Sequence, residues 1–203
     1  MLYSIPDYYK EFSCTADQCE DTCCAGWQIV VDRKALNRYR HVSGVFKKDL
    51  RRGINWKEGT FRQSTEKRCA FLDEDNLCRM YKNLGEKSLC RTCRLYPRHI
   101  EEFENVREIT LSVSCPEVAK LLLEKEEPVC FLSYEKEGEE TYEEFDYLLY
   151  SMLADAREVI IGIAQNRDKP LGERILLVLG LAHDIERRVR SGNLFTCEEL
   201  FDK

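Results

Sequence analysis

The sequence lacks what export or membrane insertion would require. No apolar run approaches the roughly 20 residues of a membrane span. The opening MLYSIPDYYKEF has neither the basic start nor the apolar stretch of a secretory signal. These absences place the chain in the cytoplasm, with no membrane partner. Histidine is scarce: His41, His99 and His183 leave little to complete a mixed Cys/His metal site. No glycine-rich nucleotide loop follows a strand, which removes the usual sign of a Rossmann-type enzyme. Nor is there a nucleic-acid-binding motif beside the basic residues, so nucleic acid is not an expected partner.

What the chain has in excess is cysteine. A length of 203 residues suits one domain, or one with a small appendage, and 43% hydrophobic residues suffice for a core. Eleven cysteines would suggest disulfides in a secreted protein, but in a reducing compartment a cluster of thiols points to metal ligands or catalysis. Nine of them lie between Cys14 and Cys115. Cys130 and Cys197 lie outside and read as small buried apolar residues.

Charge is divided along the chain. Residues 1–100 carry 19 Lys or Arg against 13 Asp or Glu, and residues 101–203 carry 12 against 24. Twelve of the basic residues fall within Arg33–Arg68. Such a run is a solvated face, or else a docking surface for an acidic protein or a cofactor phosphate.

The pattern predicts a mainly α protein. Its front half, residues 1–125, reads as a loop-rich, cysteine-ligated metal-binding domain with short strands. Residues 140–203 read as an antiparallel helical hairpin and the start of a further helix. Within the front half, CTADQCEDTCCAGW is expected to form a short helix ending near Gly26, and Asp32 to cap a helix running through Val42. Residues 53–68 read as loop with at most a short strand. Asp73, Asp75 and Asn76 supply turn chemistry between Cys69 and Cys78. Arg107–Val113 alternates and is β-branched, the best strand candidate. Pro116 suits the first turn of a helix to Glu124.

Behind it, Thr141-x-x-Glu144 is a capping box for a long helix whose apolar face runs from Phe145 to Ile163. A second helix starts near Asp168 and Pro170 and ends at Gly192, with Leu171, Ile175, Leu179 and Ile185 on its inward stripe. Thr196-x-x-Glu199 opens a helix that the sequence leaves after a few residues, so the chain is expected to be the front part of a longer protein.

The cysteine spacing is Cys14-x4-Cys19-x3-Cys23-Cys24, Cys69-x8-Cys78-x11-Cys90-x2-Cys93, then Cys115. On a helix, Cys19 and Cys23 would share a face while Cys24 pointed about a quarter-turn away. The pair Cys23 and Cys24 would then meet different corners of a bulky cluster, or serve two neighbouring sites. Only Cys90-x2-Cys93 fits a zinc knuckle. An all-thiolate set selects an iron–sulfur cluster or zinc. The irregular spacing and surplus of ligands favour the cluster. The C-x3-C-x2-C loop of radical S-adenosylmethionine enzymes is missing, because Cys24 follows Cys23 directly.

Four ordered blocks, CEDTCCAGWQIVVD at 19–32, CAFLDEDNLC at 69–78, TCRLYPR at 92–98 and SCPEVAKLLL at 114–123, resemble the flagellin lysine-N-methylase family. That family is similar in turn to a broader group of cysteine-rich zinc- or iron-chelating proteins. The resemblance spans about residues 3–125. It implies transfer of methyl from S-adenosylmethionine to protein lysine ε-amines, flagellin as the protein partner, and an iron–sulfur cluster, 4Fe-4S in type. The ligands it implies are Cys14, Cys19, Cys23, Cys24, Cys69, Cys78, Cys93 and Cys115, with Cys90 in second place. Tyr96, Asp73 and Asp75 are the candidates for the general base that a lysine nucleophile needs, each with a plainer reading as core or turn residue. Arg94 and Arg98 could hold a carboxylate such as that of S-adenosylmethionine, or shield an anionic cluster. The alternatives are a non-enzymatic zinc or iron–sulfur module, structural or redox-active in electron transfer. Members of the family are typically longer than this chain.

Overall fold

The structure is a computed structural model, and it describes residues 1–138 and 146–193. The chain divides into two compact units, Met1–Glu139 and Glu140–Lys203.

The first unit corrects the expectation of a mainly α protein. Over the described residues of both units helix accounts for 46% and strand for 18%, and the first unit holds a mixed four-stranded sheet beside its helices. The sheet has the order β4-β5-β1-β6, from strands β1 (Leu2–Pro6), β4 (Arg98–Phe103), β5 (Val106–Leu111) and β6 (Phe131–Glu135). β4 and β5 form a hairpin, with Arg98 opposite Leu111 and Phe103 opposite Val106. β1 runs parallel to β5, pairing Tyr3 with Arg107, and antiparallel to β6, pairing Tyr3 with Tyr134. Arg107 stacks over the Tyr3 ring, donates to its hydroxyl, and pairs with the cross-strand Glu102. The β6–β1 pairing carries the first unit beyond residue 125.

A second, two-stranded sheet joins β2 (Ile54–Asn55) and β3 (Thr60–Phe61). Around it lie α1 (Arg33–His41), α2 (Lys47–Gly53), α3 (Arg79–Leu84) and α4 (Arg91–Leu95). α1 starts where Asp32 predicts, the carboxylate accepting the Ala35 N–H at 2.9 Å. Its Ala35, Leu36 and Tyr39 face a core built on Phe46, Leu50, Ile54, Phe61, Phe71 and Met80. A separate core gathers Tyr8, Leu111, Cys115 and Val118 under α5 (Pro116–Glu124). The front unit thus has two apolar centres.

The expected helix over 14–26 does not form. Ala16–Gln18 makes a single tight turn and the rest is turn and loop. The reason is local competition: Asp21 accepts the Thr22 N–H at 2.7 Å and Thr22 accepts the Cys24 N–H at 3.1 Å. Those amides are then unavailable to a helical ladder.

In the second unit, α6 (Tyr147–Gln165) and α7 (Leu171–Arg190) pack through Met152, Ala156 and Ile185. Asp146 caps α6 by accepting the Leu149 N–H, while Thr141, Glu144 and Phe145 lie outside the described residues. α7 ends at Arg190, and Gly192 follows its C-cap Ser191 with a φ of +74° that suits glycine. Leu171, Ile175 and Leu179 are exposed, contrary to the inward stripe expected of them. Thr196, Cys197 and Glu199 lie outside the described residues. No helix among the described residues is long and apolar enough to cross a membrane.

Candidate metal centre

Three separate stretches of chain bring cysteines to the edge of the first core. Cys69 and Cys90 are buried within it, and Cys24, Cys78 and Cys93 pack against it. Backbone pairing explains the convergence. The Cys69 N–H donates to Cys24 O at 2.8 Å and Gly26 N–H to Lys67 O at 3.1 Å, a short bridge that sets Cys24 beside Cys69. Cys69 and Cys78 flank a tight loop closed by the Leu72–Cys78 bridge and by Arg79 N–H to Phe71 O at 2.7 Å. Asp73 fixes that loop: one carboxylate oxygen accepts the N–H groups of Asp75 and Leu77, and the other pairs with Lys82.

Cys90 and Cys93 are held by stapling residues 88–92 onto the α1 region. Tyr39 donates to Ser88 O at 2.7 Å, Arg38 to Leu89 O, and Thr92 to Val30 O at 2.8 Å. Asp32 adds its second oxygen, accepting the Arg91 N–H at 2.8 Å at the head of α4. Cys78, Cys90 and Cys115 each stand immediately before a helix, α3, α4 and α5 respectively. Their sulfurs therefore lie toward amide groups that no intrahelical carbonyl satisfies.

The electrostatics follow from crowding. Cys23 and Cys24 share a hydrogen bond, which lowers the Cys23 thiol to about 7 and raises that of Cys24. Cys90 and Cys93 do the same, with Cys90 brought to about 7 and Cys93 raised. Burial pushes Cys69 up to about 11 against a hydrogen bond from the Phe71 N–H. Burial likewise raises Cys78 and Cys115. Cys23, Cys78 and Cys90 all act on Cys69, and Cys24 and Cys69 act on Cys93. These influences link six thiols, Cys23, Cys24, Cys69, Cys78, Cys90 and Cys93, into one electrostatic group. Cys90, second in the sequence ranking, is fully buried among them. Its signal was present in the Cys90-x2-Cys93 spacing. Because residues 19–24 are loop, Cys23 and Cys24 do not diverge as they would on a helix.

Cys14, Cys19 and Cys115 are the remaining three clustered cysteines. Cys115 belongs to the second core, and the thiols that act on it are those of Cys19 and Cys14. Among the described residues, no three His, Cys, Asp or Glu side chains are already drawn into single-ion geometry. A soft thiophilic metal fits a donor set made of sulfur.

Of the other candidates, Tyr96 lies within electrostatic reach of three thiols. Its hydroxyl bonds Ser114 at 3.2 Å, burial raises its pKa, and Cys115, Cys23 and Cys19 act on it. Trp27, which nothing in the sequence singled out, sets its ring 6.1 Å from that of Tyr96 and donates to Cys23 O at 3.0 Å. Arg98 stacks over Tyr9 and Phe12 and donates to the Tyr9 hydroxyl. Arg94 is exposed on α4. Asp75 is exposed in the loop, 3.8 Å from Lys82. Asp73 is held below the usual carboxylate range, first by its bond with Lys82. His41 and His99 are engaged with Asn37 O and Glu101. His183 lines a recess on α7 with Glu186, Arg187 and Arg190. Cys130 is exposed and donates to Pro128 O.

Residues 13–116 match the family model described as "Putative zinc- or iron-chelating domain". Over 127 residues the chain is 32% identical to the flagellar biosynthetic protein FliU of Salmonella muenchen, covering 58% of this chain and 75% of FliU. It is also 32% identical over 127 residues to the lysine-N-methylases of Salmonella typhimurium and Salmonella choleraesuis, covering 31% of each. No solved structure matches. The chain therefore belongs to the cysteine-rich family of zinc- or iron-chelating domains that includes FliU and lysine-N-methylase.

Proposed function

We propose that this chain holds an iron–sulfur centre on its inner cysteines and transfers methyl from S-adenosylmethionine to lysine ε-amines of a protein substrate, flagellin in class. The observation that carries the metal half is the gathering of Cys24, Cys69, Cys78, Cys90 and Cys93 at one core edge, with Cys23 bonded to Cys24. The methyl-transfer half rests on the likeness to lysine-N-methylase, and the flagellar substrate on the likeness to FliU.

When bound, an iron–sulfur centre supplies one-electron or Lewis-acid chemistry. The chain's own residues have narrower tasks. A lysine amine, with an ordinary pKa near 10.4, must lose its proton before it attacks a methyl group. Tyr96 is the proposed proton-handling group, because its hydroxyl already bonds Ser114 beside the thiols. Its raised pKa keeps the phenol protonated at neutral pH, so it serves as a relay rather than a resting base. Arg94, one residue from Cys93, is the proposed carboxylate clamp.

One specific observation favours a second reading, a non-enzymatic metal module. Asp73 is bound into a turn and Arg98 is stacked on two rings, so two candidates for chemistry have structural partners.

The test is anaerobic purification followed by iron, sulfide and zinc analysis and S-adenosylmethionine equilibrium dialysis. Brown protein with iron, acid-labile sulfide and absorption near about 400 nm, binding S-adenosylmethionine, is the expected result. Colourless protein with zinc and no sulfide would overturn the cluster. An intact cluster with no S-adenosylmethionine binding would leave the metal module.

A further inference from the structure

We propose that the outer edge of β6 pairs antiparallel with the same edge of a second copy of this chain, joining two four-stranded sheets across a two-fold axis at Ser133. This pairing lies outside the metal and methyl-transfer reading above and does not rest on it.

The two edges of the sheet differ in kind. At one, β4 carries His99, Glu101 and Glu102, and charge along an edge discourages strand addition. At the other, β6 reads FLSYE, without lysine or proline, and every residue of it is exposed. Phe131, Leu132 and Tyr134 are 45%, 48% and 42% exposed. β6 pairs with β1 along one side, and among the described residues no strand pairs with its other side.

The phase of the ladder identifies the open backbone groups. Lys136 N–H donates to Met1 O at 3.1 Å and Asp7 N–H to Cys130 O at 2.8 Å, so the even-numbered residues turn their amides toward β1. Phe131, Ser133 and Glu135 therefore turn theirs outward. A two-fold axis through Ser133 sets it opposite its own counterpart, and sets Phe131 opposite Glu135 of the second copy. Each such pair exchanges N–H and C=O in phase.

The side chains select a second copy as the occupant, and the antiparallel direction. Tyr3 and Ile5 are buried on one face of β1, and their cross-strand partners Tyr134 and Leu132 carry that face to the edge, with Tyr134 stacked on Tyr3 at 5.3 Å. In the two-fold register Leu132 of each copy meets Tyr134 of the other in the close, non-hydrogen-bonded position. Glu135, the one charged residue of the strand, meets an aromatic ring. Parallel pairing in register would instead set Glu135 beside Glu135, which is repulsive. A strand that complements itself closes as an isologous dimer.

The test is sedimentation equilibrium of the full chain, purified and run anaerobically with reductant so that no disulfide-linked dimer contributes. Wild type is compared with Ser133→Lys, with Ser133→Glu and with a mixture of the two. Position 133 is exposed and its amide faces away from β1, so circular dichroism should be unchanged in both variants. Wild type is expected at twice the chain mass. Each variant alone should fall twofold in mass, because like charges oppose on the axis, and the mixture should return to the wild-type mass. A monomeric wild type would overturn the pairing; if Ser133→Pro then weakened binding of an unfolded protein substrate, the edge would belong to an extended substrate segment. A dimer that survives in both single variants would also overturn it, since the contact would lie elsewhere. So would a mixture that stays monomeric, which would move the axis off Ser133. Sedimentation reads mass and needs no methyl donor, so failure here leaves the proposed function standing.

Discussion

Asp32 divides its carboxylate between two helix starts, the Ala35 N–H of α1 and the Arg91 N–H of α4, which bears Cys93. Replacing it with alanine removes both bonds at once. The expected cost is about 1–2 kcal/mol of stability, the range of a lost helix cap. Urea unfolding at neutral pH measures it. Its acid behaviour follows from the same geometry. Burial alone would raise the Asp32 pKa, but the Arg91 and Ala35 donors outweigh it and the pKa is lowered. As pH falls, the unfolded chain takes up this proton first, so the contribution is complete above about 3.9 and fades as pH drops through the lowered folded value. Asp32→Asn should therefore flatten the acid limb of stability against pH; an unchanged limb would count against the double cap. Gly53 is a second sensitive position. A Cβ there would come within 2.4 Å of the buried Phe71 ring. Gly53→Ala should cost about 1–3 kcal/mol through overpacking, seen as a lower melting temperature.

At the scale of elements, local chemistry was readable and long-range pairing was not. Asp32, Pro116 and Gly192 mark helix boundaries by their own side chains or backbone, and the helices start or stop there. β5 was legible from its β-branched alternation, but β1 and β6 depend on partners distant in sequence. β1 also ends in proline, which weakens any strand signal. The α2 helix, KKDLRRG, shows only one buried apolar side chain and gave no periodicity to read. At the site, clustering of the cysteines was visible while their division between two cores was not, because that depends on which core each segment joins. The Asp73 loop tests how far an element controls the metal ligands. Asp73→Ala removes acceptors for Asp75, Leu77 and Lys82 at once. It should lower stability through the lost backbone hydrogen bonds more than through the exposed ion pair. Cys78 closes this loop, so metal affinity should fall by about tenfold, as for other groups that orient a ligand. Competition with a chelating dye measures the affinity. Unchanged affinity would show that the loop does not position Cys78.

For the whole molecule, metal and folding are linked unequally in the two units. The front unit places Cys69 and Cys90 inside its larger core and Cys115 inside its smaller one. Without a bound cation, neighbouring thiols crowd one another, and each deprotonation places uncompensated charge at a buried edge. Metal binding relieves that repulsion and is available mainly to the folded chain, so part of its free energy becomes folding free energy. The second unit contains none of the clustered cysteines, and its described core consists of Met152, Ala156 and Ile185. Removing metal under reducing, anaerobic conditions should thus strip amide-exchange protection from residues 14–115 first, while α6 and α7 keep theirs. Hydrogen-exchange mass spectrometry, with and without chelator, separates the two responses. Equal loss across Tyr147–Gln165 and Leu171–Arg190 would mean that the units unfold as one cooperative body. Loss confined to the front unit would assign the metal to its stability alone.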